Sequence, residues 1–174
     1  RGIPVISFTG STETGRSIGR VCGEMHKRLS LEMGGKNAQI VMADADLELA
    51  IDGVLWGAFG TTGQRCTATS RLLLHDAIHD EFVERLVARA RSLTLGYGLE
   101  DGVEVGPLIH EAALKKVESY VEIGKQEAEL VTGGRRAEGE GLDESFFFDP
   151  TLFTGVQPGA RIAVEEIFGP VLSV

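Results

Sequence analysis

Only two cysteines, Cys22 and Cys66, occur in the 174 residues. Two thiols cannot build a disulfide framework, and neither has a second Cys or His at zinc-finger spacing, so no metal site is expected. A reducing, cytoplasmic setting is the expectation. No apolar run approaches the roughly 18 residues that a membrane-spanning helix needs. Basic side chains are in deficit: 17 Lys and Arg stand against 26 Asp and Glu, a formal charge of -9. That excess disfavours nucleic acid or an anionic membrane as a partner. No internal repeat is visible. An initiating methionine is also missing: the chain opens at Arg1 and stops in Val171-Leu172-Ser173-Val174, which reads as the middle of a strand. The expectation is a segment of a longer polypeptide.

What remains is an ordinary globular composition. Apolar residues make up 43% and charged residues 25%, and the length suffices to bury a core. Charge is unevenly spread. Residues 1–36 hold six basic and three acidic side chains, whereas residues 37–174 hold eleven and 23. Such a shift marks a candidate domain boundary. Gly133–Ser145, rich in glycine and charge, reads as a surface excursion.

Val5–Thr9 reads as a short buried strand. Ile18, Val21, Cys22, Met25 and Leu29 then fall on one helical face, with Ser11 or Thr12 as the N-cap. Ala38–Met42 predicts a second strand. Asp44 or Asp46 caps a helix through Ala58 whose end is loosened by Gly57, Gly60 and Gly63. Ser70–His75 predicts a strand, and the periodicities of Ile78–Ala90 and Leu114–Gly124 predict helices. Leu130–Thr132, Phe146–Phe148, Thr151–Phe153 and Val171–Val174 complete the strands. This alternation predicts an α/β fold with a largely parallel sheet and flanking helices.

Four stretches have the residue types for chemistry. A strand running into Gly10-Ser11-Thr12 at a helix start offers backbone N–H groups and a hydroxyl to an anion. It reads equally as a tight turn with a good cap. In Leu31-Glu32-Met33-Gly34-Gly35-Lys36, a carboxylate among apolar residues is costly to hold and suits a general base. The alternative is a strand-end Glu32 facing solvent. In Gly63-Gln64-Arg65-Cys66, a cysteine in a polar turn lacks the apolar packing of a structural thiol. Arg65 beside it favours the thiolate, the nucleophilic form, although a structural Cys66 stays open. Cys22, on its helix face, reads as inert. Glu165-Glu166-Ile167-Phe168-Gly169-Pro170 is either a cap with a core Phe168 or a polar group fixed in a cleft. His26, His75, His79 and His110 are scattered and read as surface or structural groups. A Cys–His hydrolase needs one of them at Cys66.

Together and in this order, Phe8–Gly15, Leu31–Lys36, Gly63–Cys66 and Glu165–Val171 resemble the aldehyde dehydrogenase superfamily. The spacing is part of the likeness: 34 residues from Glu32 to Cys66 and 100 from Cys66 to Glu166. The resemblance implies that residues 1–34 end a Rossmann-like nucleotide-binding domain and that 35–174 are most of the catalytic domain. It implies Cys66 as nucleophile and Glu32 as the base that activates water. It implies Gly10, Ser11, Thr14 and Gly15 at the cofactor pyrophosphate, Glu166 on the nicotinamide ribose, and Phe168 beside the nicotinamide. The implied activity is NAD- or NADP-dependent oxidation of an aldehyde or semialdehyde to an acid, in a homodimer or homotetramer. Relatives that pass the acyl group to CoA lack the glutamate found here as Glu32. The string from Gly63 to Arg71 resembles semialdehyde-specific members, with betaine aldehyde and aliphatic aldehydes left open. In the family a second oxyanion donor and a ribose-binding lysine precede the segment that is matched here, so this piece alone is expected to be inactive. A non-catalytic family-like chain is the alternative.

Overall fold

A computed structural model describes residues 2–139, 141–143 and 145–174. The chain divides into two units, Arg1–Gly35 and Lys36–Val174.

The first unit is a single βαβ crossover. Strand β1 (Val5–Thr9) leads through Ser11 into helix α1 (Thr12–Glu24), which returns to strand β2 (Arg28–Glu32). The two strands pair in parallel, with Thr9 opposite Glu32. Cys22 is buried on the helix, as its periodicity predicts. Leu29, expected on the same helical face, instead lies in β2. The reason is local: His26 takes a left-handed φ of 51°, a conformation that cannot continue a right-handed helix, and Lys27 N–H donates back to the Cys22 carbonyl at 2.9 Å. Gly15 faces the second strand's exit. A Cβ there would lie 2.5 Å from Met33 Sδ.

The second unit is a five-stranded sheet in the order β3-β4-β7-β6-β5. Its elements are β3 (Asn37–Val41), α2 (Leu47–Phe59), β4 (Thr69–Leu74), α3 (His79–Arg91), α4 (Glu111–Glu127), β5 (Glu129–Thr132), β6 (Thr151–Thr154), α5 (Arg161–Val164) and β7 (Val171–Ser173). Pairing is parallel from β3 to β6, and β5 closes one edge antiparallel. The α/β class with a largely parallel sheet and flanking helices is therefore as the sequence predicts. Successive residues of a strand face opposite sides, and the core obeys this. Leu152 and Leu172 pack with Val54, Phe59, Phe82 and Leu86. Their neighbours Phe153 and Val171 pack with Leu114, Val117, Val121 and Ile162. Both faces are thus covered, which explains why the inner strands read as near-continuous apolar runs.

Two expectations need correction. Phe146–Phe148 is not a strand; Phe148 makes only an isolated bridge to Arg136, and the ring of Phe147 packs edge-on to Tyr97 at 5.2 Å. An apolar run alone does not separate a strand from a buried loop. Gly57 does not loosen the end of α2 but lies inside it, where a Cβ would come within 2.3 Å of Thr69 Oγ1. It lets the helix approach β4. The Gly133–Ser145 excursion lies at the surface as expected, its described residues half-buried or exposed apart from Ala137, whose N–H donates to the Phe147 carbonyl at 3.2 Å; Glu140 and Glu144 lie outside the described residues. Among the described residues, no helix is long and apolar enough to cross a membrane.

Candidate active site

Each unit gathers its chemistry-bearing residues at one rim. In the first, the parallel register sets Thr9 beside Glu32, so the Gly10–Ser11 turn and Glu32 share the carboxyl ends of β1 and β2. Open α/β sheets place ligands at that rim. Ser11 is the N-cap of the 13-residue α1. Its Oγ accepts the Thr14 N–H at 3.2 Å and donates to Thr14 Oγ1 at 2.9 Å. Thr14 therefore fixes the Ser11 hydroxyl, which stays exposed at the positive end of the helix dipole. Gly10 N–H donates to the Glu32 carbonyl at 3.0 Å, tying the turn to the end of β2.

Glu32 itself is exposed. Of the two readings of Glu32, the strand-end carboxylate facing solvent is the one found rather than one enclosed by apolar residues, because β2 alternates: Leu29 and Leu31 turn inward, while Arg28, Ser30 and Glu32 turn out. Flanking leucines in a strand point away from the residue between them.

In the second unit the corresponding rim is at the amino ends of the strands. Lys36 precedes β3, Cys66 precedes β4 and the Glu166–Pro170 loop precedes β7, and these three strands are adjacent and parallel. Cys66 is exposed, in the turn between α2 and β4. Asn37 Nδ2 donates to the carbonyls of Cys66 and Ala68, the latter at 3.1 Å. Upstream, Thr62 is buried with φ 56°, and its Oγ1 donates to the Gly106 carbonyl at 2.9 Å. Gln64 Nε2 donates to the Pro107 carbonyl at 3.2 Å, and its Oε1 accepts the Ile109 N–H at 3.0 Å. The cysteine turn is therefore held from three sides by neutral hydrogen bonds. Arg65, expected to act on the thiol, lays its guanidinium over the Trp56 ring at 4.2 Å from the centroid.

The loop before β7 meets this turn directly. Gly63 has φ 64°, and a Cβ on it would lie 2.1 Å from the Gly169 carbonyl oxygen. Gly63→Ala in the complete protein should cost about 2 kcal/mol or more, from the left-handed backbone and the forced displacement of Gly169. Gly98→Ala is the control, because a Cβ at Gly98 meets nothing within 4 Å. Equal denaturation midpoints for the two variants would refute the close approach.

Within the paired carboxylates, the two residues have different work. Glu165 accepts two bonds from the Arg161 guanidinium, both at 2.9 Å, and one from Tyr120 Oη at 2.6 Å. Arg161 first, then Tyr120, hold its carboxyl down at about 2. It ties α5 to α4. Glu166 is half-buried at the rim, next to Phe168, whose ring is exposed and whose φ is 62°. A non-glycine residue at positive φ persists only where its surroundings dictate it, and such residues concentrate at functional sites.

The three histidines of the second unit have other partners. His75 lies past the far end of β4, a strand of six residues that spans roughly 20 Å, and its Nδ1 accepts the Ala77 N–H. His110 Nδ1 caps α4 by accepting the Ala113 N–H at 2.9 Å. His79 lies against Asp80 and Thr154. Among the described residues, no three His, Cys, Asp or Glu side chains are grouped to hold a metal. Two residues at the rim had no role in the sequence reading: Asn37, which holds the Cys66 carbonyl, and Lys36, whose Nζ is buried without a hydrogen-bond partner among the described residues. Their one sequence signal is position, directly after the glycine pair.

An α/β chain with a cysteine turn and a glutamate loop on one rim defines a class, and comparison with known proteins gives the family. The chain belongs to the Aldehyde dehydrogenase family, whose model matches residues 1–174. It is 49% identical to a betaine aldehyde dehydrogenase of Bacillus subtilis, over 100% of this chain and 36% of that protein. It is 44% identical to an alpha-ketoglutarate semialdehyde dehydrogenase of Haloferax volcanii, over 99% of this chain and 36% of that one. The crystal structure of betaine aldehyde dehydrogenase from Staphylococcus aureus in complex with NAD+ superposes with a TM-score of 0.96 at 40% identity, covering 98% of this chain and 34% of that one. The chain spans about a third of the length of the curated relatives it matches.

Proposed function

We propose that the complete protein oxidises an aldehyde to a carboxylic acid with NAD, through a covalent intermediate on Cys66. In this reading Arg1–Gly35 closes the nucleotide-binding domain and Lys36–Val174 supplies most of the catalytic domain. The observation that carries it is the shared rim of Cys66, Glu166 and Phe168 in a chain of this family.

The residues present fit a dinucleotide. The exposed Ser11 hydroxyl and the first-turn amides of α1 offer donors to a pyrophosphate. The half-buried Glu166 carboxylate can accept bonds from ribose hydroxyls, and the exposed Phe168 ring provides a flat apolar wall. When bound, the nicotinamide supplies the acceptor for a hydride.

The protein's own groups do the rest. Cys66 thiolate forms a bond to the carbonyl carbon, and the carbonyl oxygen takes the negative charge. The Cys66 N–H donates to that oxygen, a type of contact whose loss costs about 10²–10³ in rate. Departure of hydride leaves a thioester on Cys66. Glu32 then takes a proton from water, the water oxygen adds to the thioester carbon, and the C–S bond breaks to return the thiolate. Aldehyde, NAD+ and water become acid, NADH and a proton. An exposed Glu32 serves this step, because water must reach it.

The relatives' names direct the test. Betaine aldehyde, alpha-ketoglutarate semialdehyde, hydroxyisobutyraldehyde and an unbranched aliphatic aldehyde are each given with NAD+ to the complete protein in 18O-labelled water. One equivalent of NADH per acid is expected for at least one substrate, and at least one labelled oxygen in that acid, a second label entering where the aldehyde exchanges its own oxygen through its hydrate. Absence of NADH with the whole panel, or a strict requirement for CoA, overturns the reading.

A further inference from the structure

Lys36 is a buried cation whose cost no hydrogen bond among the described residues offsets. It sits at the entrance to β3, and Arg71 on β4 donates to its backbone carbonyl, fixing the residue against the sheet. Its Nζ is buried and, among the described residues, has no hydrogen-bond partner. Burying an ammonium without partners is among the more expensive arrangements in a protein. Two further cations face it, Arg71 from β4 and Lys116 from α4. The carboxylates that face it are Glu166 and, more weakly, Glu165, both from the loop between α5 and β7. Glu165 is committed to Arg161 and Tyr120. The counter-charge for Lys36 therefore falls chiefly to Glu166. Charges kept in place against their burial cost concentrate at functional sites.

We propose that Lys36 is a positioning residue for Glu166: its ammonium restrains the Glu166 carboxylate from behind the rim and so presets it for the ribose of the cofactor. The proposal rests on the reading that Glu166 binds that ribose. The ammonium acts by charge, so its protonation matters. Burial first, then Arg71, lowers its pKa to about 8. Cofactor affinity should therefore be full below about pH 8 and fall as the pH rises through it.

The test measures NAD+ affinity by calorimetric titration of the complete protein carrying Cys66→Ala, so that no turnover or thiol ionisation intrudes. Lys36→Met should weaken binding about tenfold at pH 7, and Lys36→Arg should restore part of it. The fall in affinity between pH 7 and 9 should vanish in Lys36→Met. Glu166→Gln should also weaken binding, and the Lys36→Met/Glu166→Gln pair should bind no more weakly than Glu166→Gln alone. If Glu166→Gln leaves affinity unchanged, the reading of Glu166 fails and this proposal with it. If Glu166→Gln weakens binding while Lys36→Met does not, or the two effects simply add, the role of Lys36 alone is overturned. Should Lys36→Met fail to fold, the pH profile of the Cys66→Ala protein decides: affinity constant from pH 7 to 9 overturns the proposal.

Discussion

Cys66→Ala in the complete protein is expected to abolish NADH formation, a loss of at least about 10⁴-fold, as removal of a covalent nucleophile commonly gives. Cofactor affinity should stay within about twofold, since the proposed cofactor contacts are made by other residues. Stability should barely move. The Cys66 side chain is exposed, and the bonds that hold its turn come from Asn37, Thr62 and Gln64. Surface substitutions away from such anchors usually change stability by less than about 0.5 kcal/mol. A steady-state assay, a cofactor titration and a thermal melt on one preparation separate the three expectations. Retained turnover would remove the nucleophile from the mechanism altogether. Cys22→Ala gives the contrast: its thiol is buried, so it should lose stability and keep the chemistry.

Glu32→Gln should behave differently. In the proposed mechanism hydride leaves before any water is needed, so the first turnover should proceed and release one NADH per site. The enzyme should then stall as an acylated Cys66, with steady-state rate down about 10²–10⁴-fold, the range for loss of a general base. Mass spectrometry of the stalled protein should show the acyl mass on the peptide containing Cys66. The substitution is close to isosteric and its side chain is exposed. The backbone carbonyl that anchors Gly10 is untouched. An unchanged steady-state rate with no burst would exclude Glu32 as the base.

Much of the fold was legible along the chain because its signals are local. Periodicity placed α2, α3 and α4, since one helical face must meet the core. Ser11 and Asp46 were readable as caps because a short polar side chain at a helix start satisfies an amide that nothing else can. The four-residue α5 and the start of strand β2 have no clear local signal. The first is too short for a period. The second continued the apolar spacing of α1, and only the left-handed turn at His26 separates them.

The candidate site divides in the same way. Which residues have reactive groups, and in what order, was evident from composition and motif: a cysteine in a polar turn, a glutamate before two glycines, a Gly-Ser-Thr helix start. Their membership of one family pattern was likewise a property of the string. Three matters waited on the folded chain. Glu165 turned out to hold α4 and α5 together while Glu166 stayed at the rim. Glu32 turned out to face water. Lys36 turned out to bury its ammonium beside Glu166. Each depends on what a side chain meets from elements far away in the chain. Local spacing sets a residue's direction within its own helix or strand, but charge, burial and partners are set by neighbours that only the packed sheet brings near.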